Sequence, residues 1–297
     1  MKAINIRDAH QQFKKYLSEN KRSTSTIVAY GKDIEQLVSF LEELSKNHIH
    51  DVTKADLESF LAKMTKNGYT PKSISRKLNS TRTFYRFLKV NEYVTDDPSL
   101  LVAHPRYQLA PPRILTPTEY RALRDASRND PRMFAIIELL LQTGIRIGEL
   151  AALKLPDIKK EGLHISQQEK HAERTVPLNS RAQEALNKYI LVRPNSQAGA
   201  KSDLAGGKLN HLFITKSGKA FLIRNIRTAV ERYFRLAEIK NAKVNDLRHT
   251  FVAHHLKHGA SLVLISKVLG HKRLSTTERY LEYVKDRAKE NGLLTEL

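Results

Sequence analysis

The chain has 297 residues, of which 40% are hydrophobic and 28% are charged, enough for one large or two ordinary globular domains. Its formal net charge of +20 favours a polyanionic partner, nucleic acid above all, over a membrane surface or a merely solvated basic surface. The absence of cysteine excludes disulfides, a thiol nucleophile and cysteine-based zinc sites. With no apolar run of signal-peptide or membrane-span length, we expect a cytoplasmic, nucleoid-associated protein.

The first hundred residues predict helices joined by short turns. A Ser/Thr cluster at residues 23–26 offers an N-cap before apolar residues that recur at three- and four-residue spacing. Thr53 with Asp56 predicts a further helix start, and Thr70 with Pro71 predicts the start of a fourth helix. The polar face of that fourth helix suits DNA phosphates, the alternative being an ordinary solvated face. Its candidate DNA-binding residues are Lys72, Ser73, Arg76, Ser80 and Thr83.

Residues 96–115 carry four prolines and no sustained apolar period, which is typical of a linker. We therefore predict a helical domain over residues 1–103, a linker over residues 104–114 and a second domain over residues 115–297. Two domains joined in this way could close around a DNA duplex like a clamp.

The second domain predicts mostly helices with a small antiparallel sheet. Helical patterns flank a glycine turn at Gly144, and LHISQ and ERTVPL read as the two strands of a hairpin. A strand, a Ser-Gly turn and then a second strand or a helix entry are predicted over residues 212–222, after a polar loop over residues 197–210. From Ile223 onward the pattern is helical apart from turns. The predicted fold class is mainly α with a small antiparallel β-sheet.

Two arginines in apolar surroundings are the first candidates for chemistry. Arg146 follows the glycine turn, and Arg248 lies in a helix whose apolar residues point inward. Burying a guanidinium is costly unless it meets an anion. Glu149 could be the whole partner of Arg146, or it could orient the guanidinium toward a bound phosphate.

Three further residues complete a candidate set for attack on a phosphodiester: Lys170 in the hairpin turn, His271 after a glycine, and Tyr280 nine positions later. A phenol can attack phosphorus while cations hold the developing charge. Taken singly, the lysine could be an ordinary turn residue and the tyrosine a core residue. There is no phosphate-binding glycine loop and no cluster of acids for two magnesium ions, so we expect no cofactor and no metal.

Together the segments TGIRIGEL, the Lys170 turn before ERTVPL, LRHTFVAHHL, LGH and STTERY resemble, in order and spacing, the tyrosine recombinase (phage-integrase-like) family. The resemblance spans nearly the whole chain and is of the simple two-domain, Xer-like type. It implies a helical, SAM-like core-binding domain before a catalytic domain of the DNA breaking–rejoining fold. It also implies site-specific recombination of DNA without metal or ATP.

The resemblance assigns a role to each candidate. Tyr280 would attack the phosphate, forming a 3′-phosphotyrosyl link and freeing a 5′-hydroxyl, which Lys170 would protonate. Arg146 and Arg248 would stabilise the pentavalent transition state, and His271 would hydrogen-bond a non-bridging oxygen. Glu149 matches the family's acidic position beside the first arginine.

The family also implies how its members assemble. They act as tetramers on double-stranded DNA with paired core sites, so we expect a homotetramer on inverted-repeat sites. KDRAKENGLLTEL, after Tyr280, could be a C-terminal helix passed to a neighbouring protomer, or a tail that packs on its own domain. The sequence leaves open the target site, the kind of genetic element served and the need for accessory proteins.

Two departures from the family pattern keep alternatives open. Asn245 stands where the family usually has histidine, and an amide cannot take a proton near pH 7, so we hypothesise slower chemistry or a substitute base such as water. The Lys170 turn is also one residue shorter than the commonest family spacing. The alternatives are a catalytically weakened relative that only binds DNA, and a type IB topoisomerase-like enzyme that relaxes DNA.

Overall fold

A computed structural model describes residues 4–108, 110–167, 172–194 and 210–284. The chain divides into two compact units, Met1–Ala110 and Pro111–Leu297, each built around its own apolar core. The finer bounds that we predict for the two domains and the linker stay a prediction. Within the described ranges, no helix is both long and apolar enough to cross a bilayer.

The first unit is a helical bundle whose helix starts are set by side-chain caps. Ser23 caps the second helix, Thr53 and Asp56 form a reciprocal capping box on the third, and Thr70 caps the fourth with Pro71 in its first turn. Each cap satisfies backbone N–H groups that the helix itself leaves unpaired. The helices are α1 (Ile6–Glu19), α2 (Thr24–Glu43), α3 (Lys54–Lys66) and α4 (Pro71–Val90).

A buried polar network ties α4 to α2. The Asp33 carboxylate accepts hydrogen bonds from Arg76, from Lys77 at 3.1 Å and from the Ser80 hydroxyl at 3.1 Å. The prediction that Ser80 lies on an exposed face is wrong, since its side chain is fully buried. A hydroxyl that completes the shell of a buried carboxylate is satisfied inside the protein.

The second unit is also mainly helical, as predicted. One apolar helix is buried on nearly every side and packs against five neighbouring helices, so it forms the centre of the unit. Asp130 caps this helix, and Pro131 occupies its first turn. The helices are α5 (Pro117–Ser127), α6 (Pro131–Thr143, the central one), α7 (Ile147–Ala152), α8 (Ser180–Val192), α9 (Ile223–Leu236), α10 (Val244–Lys257), α11 (Leu262–Leu269) and α12 (Ser275–Glu278).

One antiparallel sheet, in the order β1–β2–β3, accompanies these helices. Its strands are β1 (Ile158–Lys159), β2 (Gly162–Ile165) and β3 (Arg174–Val176). The predicted hairpin is the pair β2 and β3, with Leu163 opposite Val176. Over residues 212–222 only an isolated bridge between Ile214 and Ala220 forms in place of strands, and the segment ends as the entry to α9, the second of the predicted alternatives. A two-residue strand such as β1 carries no period from which to predict it.

Candidate active site

The site is built around the turn between α6 and α7. Gly144 ends α6 in the left-handed conformation, with φ of 61°. A Cβ atom there would lie 2.6 Å from the Phe251 ring and 2.8 Å from a Leu269 methyl. Because no larger residue fits, the turn packs directly against α10 and the end of α11. This close approach brings Arg146 and Arg248 to the same place.

Arg248 is a buried cation held by neutral groups. Its side chain donates to the Gly144 carbonyl at 2.5 Å and, through Nη2, to the Leu269 carbonyl and His271 Nε2, both at 3.0 Å. Burial, together with the positive charge of Arg146, lowers the pKa of Arg248 to about 9, which still leaves the group protonated at neutral pH. A protonated guanidinium that is 5% exposed and bonded to carbonyls is short of a counter-charge and suited to binding an anion.

Glu149 holds the other arginines of the cluster in place. Its carboxylate is 2% exposed and accepts hydrogen bonds from Arg146 Nη1 at 3.1 Å and from Arg174 Nη1 and Nη2 at 3.0 and 2.9 Å. Burial works against its charge, but the Arg174 bonds and the Arg146 backbone N–H hold the pKa of Glu149 below its usual range. The acid thus holds the Arg146 side chain in place. The three guanidinium groups of Arg146, Arg174 and Arg248 together carry two more positive charges than this one carboxylate balances.

Arg174, on β3, is a member of this cluster that the sequence analysis missed. Its Nε donates to the Val268 carbonyl at 2.7 Å, besides the paired bonds to Glu149. Alternation along β3 places its side chain on the same face as buried Val176, and an inward-facing arginine in a strand is a usable signal. What the sequence cannot supply is its partner, which lies 25 positions upstream.

The end of α11 collects all three arginines. The Val268 carbonyl accepts from Arg174, and the Leu269 carbonyl accepts from both Arg146, at 3.2 Å, and Arg248. Terminal helix carbonyls have no partner within the helix and form the negative end of its dipole. Gly270 then reverses the chain with φ of 62° and leads directly to His271.

His271 lies against Arg248 and α12. Its Nδ1 is 2.8 Å from the hydroxyl of Thr277, which is fully buried. Arginine only donates, so the Nε2 that meets Arg248 is the accepting nitrogen and Nδ1 carries the proton. The structure therefore brings His271 to the arginine cluster, as the sequence suggested.

Tyr280 completes the site with an 8% exposed side chain. Its hydroxyl lies 2.5 Å from Nδ1 of His249, whose Nε2 is 2.8 Å from the Asn245 amide nitrogen. Burial raises the pKa of the Tyr280 phenol, although the positive charges of Arg248, Arg279 and Arg146 oppose that rise. His249 is a second residue that the sequence analysis missed. The sequence did carry a signal for it, because His249 lies one helical turn after Asn245 and residues at that spacing contact each other.

The remaining candidates are Lys170 and residues of α4. Lys170 falls in residues 168–171, outside the described residues, so its place is not given. On α4, Lys72 and Arg76 are exposed, while the Ser73 hydroxyl is 3.0 Å from that of Thr70 and the Thr83 hydroxyl donates to the Asn79 carbonyl. Across the four described ranges, no group of three His, Asp or Glu side chains is placed to hold a metal ion.

A cavity of about 300 Å³ opens beside the arginine cluster, between the α6–α7 turn, α9 and α10. Arg248 and Asn245 line one part of it, and Arg227 and Lys243 supply further positive charge. Positive groups that converge on a concave surface attract a phosphate backbone from a distance. The cavity thus gives the buried guanidinium of Arg248 an approach from solvent.

Two family models match the chain, one in each unit. Residues 113–287 match the phage integrase family, and residues 10–92 match the phage integrase N-terminal SAM-like domain. A tyrosine recombinase XerC from Thermodesulfovibrio yellowstonii is 32% identical over 264 residues, which cover 87% of this chain and 85% of that protein.

Solved structures of lambda integrase share the fold. A dimer bound to a COC′ core site has a TM-score of 0.74 at 17% identity and covers 97% of this chain and 79% of its own. A tetramer bound to a Holliday junction has a TM-score of 0.72, also at 17% identity, and covers 91% of this chain and 78% of its own.

Proposed function

The chain belongs to the phage integrase family, and from that premise we propose that it is a site-specific DNA recombinase. It cleaves and rejoins DNA strands through a 3′-phosphotyrosyl intermediate. The observation that carries this proposal is the buried hydroxyl of Tyr280, placed beside guanidinium groups with two uncompensated positive charges. A nucleophile and a site for phosphate charge are the parts that phosphoryl transfer requires.

The proposed reaction uses the side chains in fixed roles. Tyr280 Oη attacks the scissile phosphorus, and Arg146 and Arg248 bind the non-bridging oxygens as their negative charge grows. These groups are already oriented by Glu149 and the α11 carbonyls, so little reorganisation is needed, and removing one such donor costs about 10²–10³ in rate. When a phosphate oxygen takes the place of Arg248 at Nε2, the His271 tautomer with its proton on Nε2 donates to that non-bridging oxygen. Lys170, by family resemblance, protonates the leaving 5′-oxygen.

We assign core-site binding to residues 1–103, the linker to residues 104–114 and catalysis to residues 115–297. The exposed Lys72 and Arg76 on α4, with Ser73 and Thr83, supply the phosphate-contacting face of the first domain. The match to an N-terminal SAM-like domain of integrases over residues 10–92 supports this assignment. Because its proposed substrate is DNA, we place the protein at the nucleoid in the cytoplasm.

A covalent adduct is the direct test of the chemistry. Duplexes that the Tyr280→Phe variant retains from a random pool identify a binding site, which is then made as a nicked suicide substrate. We expect the wild-type protein to trap this DNA in EDTA as a band on a denaturing gel, and Tyr280→Phe to bind without trapping it. Binding by the wild type without any adduct would instead favour the catalytically weakened relative.

Strand exchange separates the recombinase from a relaxing enzyme. A supercoiled plasmid carrying two copies of the selected site should yield recombinant products of changed connectivity. Relaxation of that plasmid with no exchanged product would favour the topoisomerase-like alternative.

We further propose that the protein acts as a homotetramer on paired inverted-repeat sites. The neighbouring structures bound to DNA as a dimer and a tetramer support this assembly. The predicted exchange helix falls in residues 285–297, outside the described residues. A chain ending at Val284 should still bind one site but form fewer tetramers in sedimentation with paired-site DNA. Undiminished tetramers would contradict an exchanged helix.

A further inference from the structure

A chain of hydrogen bonds leads from Tyr280, the proposed nucleophile, to the exposed side chain of Asn245. Asn245 stands where the family usually has histidine. Tyr280 Oη lies 2.5 Å from His249 Nδ1, and His249 Nε2 lies 2.8 Å from the Asn245 amide. Asn245 and His249 are one turn apart on α10, so the helix itself fixes their contact. The imidazole and phenol rings lie 5.6 Å apart between centroids, tilted by 43°.

We propose, resting on the proposed function, that His249 is the base that accepts the proton of Tyr280 during cleavage and that Asn245 positions it. His249 touches the reacting oxygen, whereas Asn245 acts only through the imidazole. The usual histidine of the family is thus replaced by two residues on the same helix. An asparagine that orients a catalytic histidine has a parallel in cysteine proteases, where Cys, His and Asn act in that order.

The amide of Asn245 selects the tautomer of His249. When its nitrogen faces Nε2, the ring accepts there, and Nδ1–H donates to the phenol oxygen. A half-turn about the Cβ–Cγ bond presents the amide oxygen instead, so that Nε2–H donates and Nδ1 becomes free to accept the phenol proton. Asn245 is exposed, which leaves room for this rotation. The second orientation is the one in which His249 works as a base.

Burial above all, with help from neighbouring positive charges, favours the neutral imidazole of His249. Burial lowers the pKa of His249 most; Arg248 on α10 and Arg279 beside the nucleophile lower it further, and Asp246 on α10 opposes them. Tyr280 itself faces the ring as a neutral phenol. A neutral imidazole can accept a proton, and the resulting cation is relieved when the negative phosphate enters the site.

The proposed step balances without any additional reagent. The Tyr280 O–H bond breaks, its proton moves to His249 Nδ1, and the oxygen pair forms the bond to phosphorus. The bond from phosphorus to the 5′-oxygen breaks, and that oxygen leaves as a hydroxyl by taking a proton from the general acid. In the rejoining step the 5′-hydroxyl returns its proton to the general acid and attacks phosphorus, the bond from phosphorus to Tyr280 breaks, and the phenol recovers its proton from His249.

The first test is the pH dependence of adduct formation on the nicked suicide substrate under single-turnover conditions. We expect the wild-type rate to fall as the pH drops through the pKa of His249, below its ordinary value of about 6.5. His249→Gln and His249→Ala should be slower by about 10²–10⁴-fold at neutral pH and should lack this acidic limb. His258→Ala, an exposed histidine at the end of the same helix, should match the wild type in rate and profile.

A second substrate separates a base from an acid. With sulfur in place of the bridging 5′-oxygen, the leaving group is a thiolate that needs no proton. If His249 is the base, its variants should still cleave this substrate slowly. A variant that lacks the general acid should instead regain its cleavage rate. Recovery of His249→Gln would therefore overturn the proposal.

Asn245→Asp tests the positioning role without touching the nucleophile or its base. A carboxylate beside Nε2 stabilises the imidazolium, so the acidic limb should move to higher pH, a change that a merely structural residue would not produce. This variant also decides the matter if the His249 variants fail to fold. The proposal would be contradicted if the acidic limb of the pH–rate profile did not move in Asn245→Asp. It would also be contradicted if a folded His249→Gln variant had the pH–rate profile of the wild type. If the wild type itself forms no adduct, the proposed function fails first.

Discussion

Glu149 is the residue whose loss should matter most to stability within the site. Glu149→Gln keeps the shape but leaves the buried side chain of Arg174 and the partly exposed side chain of Arg146 without their counter-charge, so we expect a loss of about 3–5 kcal/mol of unfolding free energy. Urea unfolding followed by circular dichroism measures it. Glu58→Gln on α3, whose side chain is 49% exposed beside Lys54, should cost less than about 0.5 kcal/mol.

The pH dependence of that loss has a definite sign. The pKa of Glu149 is depressed in the folded protein, so its stabilisation is fully present above the unfolded value of about 4.3 and is lost as the pH falls through the folded value. The difference between wild type and Glu149→Gln should therefore shrink below about pH 4. A constant difference across that range would mean that the carboxylate charge is not what stabilises the cluster.

The sequence was most informative where a residue contradicted its surroundings. Arginines in apolar helices pointed to the site, and Glu149 was recognised because its partner lies within one helical turn. The partners of Arg174 and His249 lie 25 and 31 positions away, and only tertiary packing brings such residues together. For the same reason Asn245 was noticed as a departure while the histidine that it contacts was not.

At the scale of elements, the α6–α7 turn should tolerate substitution least. Gly144→Ala adds left-handed strain of about 1–2 kcal/mol and a clash with Phe251 and Leu269 of about 1–3 kcal/mol, so we expect a total loss of about 2–5 kcal/mol. Gly218→Ala is the matched control, because φ there is 80° but nothing lies within 4 Å of the added methyl. Gly218→Ala should lower the unfolding free energy only by the cost of backbone strain. Equal losses of unfolding free energy in the two variants would mean that the close packing at Gly144 carries no cost.

Helix starts were the most predictable elements because their signals are local. Thr53 with Asp56 forms a capping box, and Thr70 with Pro71 opens α4, each within four residues of sequence. Strands depend on partners that the local pattern does not contain. LHISQ and ERTVPL form a hairpin, yet the segment at residues 212–222 makes only an isolated bridge because its backbone pairs mainly across one turn.

For the whole molecule, composition predicted the partner and periodicity predicted the fold class. A charge of +20 favoured nucleic acid, and the family resemblance of the segments around Arg146, Arg248 and Tyr280 supplied the expectation of a DNA recombinase. The burial of Ser80 shows where that approach stops. Polar side chains on one face of a helix can hydrogen-bond a buried carboxylate such as Asp33 instead of facing solvent. Exposure is a property of packing, which the pattern on one helix does not determine.

We expect the positive charge of the protein to make DNA binding depend strongly on salt, and we propose that α4 contributes to that dependence. Each phosphate contact adds about 0.9 to the slope of log affinity against log salt, so Lys72→Ala should lower that slope by about one. It should weaken cognate and random duplexes alike, since a phosphate contact carries no sequence information. Fluorescence anisotropy with labelled duplexes over a salt series measures both. Lys15→Ala on α1, whose side chain is 80% exposed, is the matched control and should leave the slope unchanged. An equal effect of the two substitutions would show that general charge, and not the α4 face, contacts the DNA.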